Sequence, residues 1–173
     1  ITIATSTGRG LPDLTAQGCP WKTEALPMIR SAEWLFVDTS AFIALYDAGD
    51  QYHEAAKSFF TPEHIRGLRV QMLTTSFVFS EVYAYFCRAH EDAIAIGAAI
   101  RESKALRYVR PEPTDEEAAW QLAQKYADKD FSFVDCLSFA IMLRIGCSKA
   151  FTFDSHFRQM GFEMLPDFTR HRR

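Results

Sequence analysis

The chain has no apolar run near the ~20 residues that a membrane-spanning helix requires. Its opening residues, ITIATSTGRG, carry no basic patch followed by an apolar stretch, so a secretory signal is not supported. Its four cysteines, Cys19, Cys87, Cys136 and Cys147, form no Cys-x-x-Cys pair, which argues against a zinc ribbon or a thioredoxin-type site. Reduced thiols in a cytoplasmic protein are the expectation. Cys87 and His90 lie three apart on a predicted helix, but two soft ligands without a second pair do not make a zinc site. Positive charge is also in short supply. The net charge is −3, unlike a protein that coats nucleic acid nonspecifically, although local Lys and Arg can still hold phosphates beside a carboxylate site. No internal repeat or second domain is visible.

With 173 residues, 48% hydrophobic and 24% charged, the chain has the make-up of one globular domain with a real core. Residues 1–32 are rich in Gly, Pro, Thr and Ser and lack helical or strand periodicity, so we expect a poorly ordered extension. Met28, just ahead of the first clear element, is a candidate initiator. Residues 168–173 form a short basic tail.

Between these ends, strands and helices alternate. Trp34-Leu35-Phe36-Val37 is a continuous apolar run of the kind found in buried parallel strands. Further strands are predicted at 70–74, 107–110, 149–153 and 162–165. Helices are predicted at 40–47, 51–60, 75–90, 92–103 and 155–160. A capping box at Thr114 and Glu117 is expected to open a helix to 127, and a second at Ser132 and Asp135 one to 145. The alternation implies an α/β fold, with a mainly parallel sheet covered on both faces.

In such sheets, ligands bind beyond the carboxyl ends of the strands. Four acids fall where they can converge on that crevice. Asp38 ends the first strand and Asp154 the fourth. Glu81 lies in the second turn of the helix after the second strand, and Asp135 in the first turn of the helix leading to the fourth. Each has a structural explanation as well: Asp38 as a turn residue, Asp154 as an N-cap, Asp135 as the N3 acid of its capping box. Glu81 is harder to explain that way, because its helix is apolar nearly all round and a charge there requires a partner. Two carboxylates 4 Å apart repel by about 4 kcal/mol at an effective dielectric of 20. A cluster of four would therefore need protons or a cation. Oxygen donors with little His or Cys favour Mg²⁺ or Mn²⁺ over zinc.

Taken in order, Val37-Asp-Thr-Ser-Ala-Phe, Ser80-Glu-Val, Asp130-Phe-Ser-Phe-Val-Asp-Cys and Thr152-Phe-Asp-Ser-His-Phe-Arg-Gln-Met-Gly-Phe resemble the motifs of the PIN-domain ribonucleases. The likeness is to the branch containing VapC-type toxins, over residues 33–167. It implies a three-layer α/β/α sandwich of about five strands with an acidic pocket for Mg²⁺ or Mn²⁺. It also implies endonucleolytic cleavage of single-stranded RNA. On this basis Asp38 and Asp135 are the principal metal ligands, and Asp154 completes the cluster. Glu81 either holds a second ion or orients the attacking water. Ser40, Ser132 and Thr152 are expected to orient the acids, and Arg144, Lys149, His156 and Arg158 to grip phosphates. The implied partners are an RNA substrate, an antitoxin docking near Phe42, Tyr46 and Phe59, and a second copy in a homodimer. A housekeeping RNA-processing nuclease and a silent PIN-like scaffold are the alternatives. A haloacid-dehalogenase-type phosphatase is disfavoured, because Ser40 stands where that pattern needs a second Asp.

Overall fold

The computed structural model describes residues 33–167. The expectations for residues 1–32, including Met28 and Cys19, and for the basic tail fall outside that range. Five strands form one parallel sheet: β1 (Glu33–Val37), β2 (Val70–Thr75), β3 (Leu106–Val109), β4 (Lys149–Phe151) and β5 (Glu163–Leu165). The order across the sheet is β3-β2-β1-β4-β5. From β1 the chain winds outward to β3, then crosses to the other side of β1 for β4 and β5. The switch point therefore lies between β1 and β4, where Leu35 to Val37 pair with Lys149 to Phe151. Crevices at such points are where open α/β sheets bind ligands.

Two groups of helices cover the sheet. The first is α1 (Thr39–Tyr46), α2 (His53–Phe59), α3 (Pro62–Leu68), α4 (Ser76–Phe86) and α5 (His90–Arg101). The second is α6 (Pro113–Lys125), α7 (Phe133–Ile145) and α8 (Ser155–Gln159). Within the first group α1 packs on α2 and α4, and α4 on α5; within the second α7 packs on α6 and α8. This is the expected three-layer sandwich. None of the described helices is long and apolar enough to cross a membrane.

The apolar strand β1 sits at the centre of the sheet, and Leu35, Phe36 and Val37 are fully buried. Helix α7 buries every residue from Cys136 to Met142 and ends on Gly146, whose φ of 70° gives the left-handed cap that glycine adopts without strain. A ring cluster fixes the short α8: Phe157, fully buried, packs 5.9 Å from Phe36 and 5.1 Å from Phe139.

Four sequence expectations are corrected. The predicted helix 75–90 stops at Phe86, and a new helix starts at His90, so Cys87 and His90 do not share a helical face. Helix α3 was not anticipated; Thr61 caps it and Pro62 opens it. The capping box of α6 is Glu112 with Asp115, not Thr114 with Glu117, because Pro113 occupies the first helical position. Phe42, Tyr46 and Phe59 are core residues, between 0% and 7% exposed, so these side chains are not themselves the surface an antitoxin would touch.

Candidate active site

Three of the four acids, Asp38, Asp135 and Asp154, stand at the starts of helices at the carboxyl end of the sheet, and Glu81 lies in the second turn of α4. Asp38 follows β1 directly and N-caps α1. Its Oδ2 accepts hydrogen bonds from the Ser40 N–H (3.2 Å), the Ser40 hydroxyl (2.7 Å) and the Thr152 hydroxyl (2.9 Å). None of these donors carries charge. Burial is the larger influence and pushes the Asp38 carboxyl up to about 6, against the opposing pull of those hydrogen bonds.

Ser40 and Thr152 join β1 to β4. The Ser40 hydroxyl accepts from the Phe153 N–H at 2.9 Å, and the Thr152 hydroxyl accepts from the Asp154 N–H at 3.0 Å. The Phe153 ring stacks on Tyr52 at 4.6 Å. The loop that presents Asp154 is thereby held on both sides. Asp154 in turn N-caps α8, with Oδ1 accepting from the His156 N–H at 2.9 Å.

Asp135 is the N3 acid of the α7 capping box, as expected. Its Oδ2 accepts from the Ser132 N–H at 2.8 Å, while its own N–H donates to the Ser132 hydroxyl at 3.0 Å. Glu81 receives the Thr39 hydroxyl at 2.6 Å. Its carboxyl is raised above the usual range, chiefly by burial and further by the negative charges of Asp135 and Asp154. The acids that the sequence singled out at helix starts thus hold capping roles as well.

His156 does not reach outward for phosphate. Its Nδ1 lies 3.3 Å from Asp135 Oδ2 and 3.4 Å from Asp154 Oδ1. Ligand atoms of Asp135, Asp154 and His156 lie within 4.8 Å of one another, the one such grouping among the described residues. Asp38 and Glu81 stand outside it. The other expected phosphate grips also change. Arg144 forms a two-pronged ion pair with Asp115 (2.6 and 3.0 Å), and Lys149 pairs with Glu33. Arg158 remains exposed on α8. Sequence reasoning missed Asp115 altogether. It is buried at 2% exposure, and its place beside Pro113 at a helix start was the available signal.

Carboxylates gathered at the carboxyl end of a parallel α/β sandwich, with no Lys or Arg paired to Asp38, Glu81, Asp135 or Asp154 among the described residues, are an arrangement that suits a divalent cation. The family model of the PIN domain matches residues 35–163, and the chain belongs to that family. It is 35% identical over 136 residues to the 23S rRNA-specific endonuclease VapC20 from two strains of Mycobacterium tuberculosis, covering 77% of this chain and 99% of that protein. The crystal structure of M. tuberculosis VapC20, described as a Sarcin-Ricin loop cleaving toxin, aligns with a TM-score of 0.66 at 33% identity. That alignment covers 74% of this chain and 95% of VapC20.

Proposed function

We propose that the protein is a metal-dependent endoribonuclease acting as the toxin of a toxin–antitoxin pair, with a loop of large-subunit rRNA as its target. The observation that carries this is the convergence of Asp135 and Asp154, with Asp38 and Glu81 beside them, in a chain colinear with nearly all of an rRNA endonuclease. The donor set fits Mg²⁺ or Mn²⁺: oxygen donors of high charge, pre-aimed by hydrogen bonds from Ser132, Ser40 and Thr152. A divalent ion bound there would offset the phosphate charge and acidify a water molecule.

The protein's own contribution is orientation. Asp38 and Asp135 are the principal ligands and Asp154 completes the set. Three donors to one oxygen of Asp38 fix the direction in which its carboxylate faces the pocket. Glu81, clamped by Thr39 and pushed toward holding a proton, is suited to accept one from the attacking water. Arg158, exposed on α8, is a contact for an RNA phosphate. An antitoxin would have to cover this pocket to silence it.

The test is cleavage of intact ribosomes and of single-stranded RNA by purified protein with Mg²⁺, Mn²⁺ or EDTA, mapped by primer extension. Metal-dependent cutting at one large-subunit site, abolished by Asp135→Asn, is the expected result. Metal-independent cutting, or none by a folded, antitoxin-free protein, would sink the proposal.

A further inference from the structure

We infer that His156 is itself a ligand of the divalent ion beside Asp135 and Asp154, adding an imidazole nitrogen to the carboxylate oxygens and with it a preference for Mn²⁺ over Mg²⁺. This rests on the pocket being a cation site and goes on to name the ion.

Adjacent donors on an octahedron with bonds of about 2.1 Å are about 3.0 Å apart. Nδ1 of His156 lies 3.3 Å from Asp135 Oδ2 and 3.4 Å from Asp154 Oδ1, a few tenths of an ångström beyond that spacing. A single ring N–H cannot point well at both oxygens, whereas one ion can bind all three atoms. The ring meets the edge of Phe131 at 5.1 Å, and the next residue, Phe157, is fully buried, so the imidazole is carried on a fixed support. Its Nδ1 is thereby directed at the acids and not at solvent. An imidazole also adds a donor to the ion without adding to the negative charge that the carboxylates already bring.

Donor chemistry then sets the selectivity. Mg²⁺ demands hard oxygen ligands, while imidazole nitrogen suits transition ions. Replacing one oxygen position by nitrogen therefore costs Mg²⁺ more than Mn²⁺.

The full chain, freed of metal, is titrated with Mn²⁺ and with Mg²⁺, and the Mn²⁺ form is studied by electron spin-echo envelope modulation. The expected result is a ¹⁴N modulation that converts to the ¹⁵N pattern when histidine alone is ¹⁵N-labelled, and that is lost in His156→Ala. The same variant should lose about tenfold or more in Mn²⁺ affinity, the scale on which even the partners of a metal ligand act. Its loss for Mg²⁺ should be smaller. The labelled wild type needs no mutation, so a folding defect in the variant does not blunt the test. Mn²⁺ bound without nitrogen coupling, or with coupling that survives His156→Ala, overturns histidine ligation while leaving the metal-nuclease function standing. Failure to bind Mn²⁺ at all overturns both.

Discussion

Two buried aspartates show how differently this fold treats a carboxylate. Asp115, at the start of α6, is 2% exposed and gripped by both prongs of Arg144. Burial works to raise its carboxyl, yet the Arg144 hydrogen bonds and charge prevail and hold it below the usual range. Asp38, 6% exposed, meets only uncharged hydroxyl and amide donors, and its carboxyl rises to about 6. The first acid is neutralised from within the chain. The second is left for something from outside. On the proposed function, the structural acid and the functional one differ in whether the fold supplies the counter-charge, not in depth.

The sharpest way to break this contrast is to remove each charge. Asp38→Asn should reduce RNA cleavage at least a hundredfold, at or beyond the upper range for altering an outer partner of a metal ligand. It should leave the circular dichroism spectrum unchanged, since Asn caps a helix as well as Asp. Arg144→Met, by contrast, takes the counter-charge from Asp115 and should destabilise the fold by about 1–3 kcal/mol in urea unfolding, since the pair is partly open to water. That cost should shrink as pH falls and Asp115 takes up a proton. Removing Asp115 should cost less than removing Arg144, because the Arg144 side chain is 41% exposed and can turn to water.

A third expectation concerns pH. An acid whose folded pKa is raised keeps its proton longer in the native state than in the unfolded chain. Metal-free protein should therefore lose stability as pH climbs from 3.8 to about 6 and change little from this source above that. The span corresponds to about 3 kcal/mol at most. Unfolding curves of wild type minus Asp38→Asn isolate it, and added Mn²⁺ should restore the loss by mass action. A final effect belongs to Thr152→Val, which removes a donor from Asp38 and the acceptor of the Asp154 N–H. A loss of about 1–3 kcal/mol is expected by thermal denaturation, together with an upward move of the Asp38 titration followed by NMR.

The sequence made the Asp38 side of this contrast visible and hid the Asp115 side. Asp38, Asp135 and Asp154 could be placed because local signals, a strand end or a capping box, locate them. The sheet was legible for the same reason, since β1 announces itself as an apolar run closed by a turn. Asp115 was hidden because its partner is 29 residues away, and because Glu112–Asp115 and Thr114–Glu117 both look like helix starts. His156 was assigned outward because helical spacing does not reveal which way α8 turns; the packing of Phe157 against Phe36 and Phe139 decides that. The break after Phe86 carries no Gly or Pro at 87–89, and so left no mark.

One consequence follows from the double duty of Asp38 and Asp154 as helix caps. In the genetic code Asp and Asn codons differ by one base, and Asn keeps the cap while discarding the charge. On the proposed function, a gene for this fold is therefore a single transition away from a copy that folds normally and no longer cuts. Mutation can strip the chemistry long before it erodes the architecture, so selection against a harmful enzyme would leave intact, inert descendants.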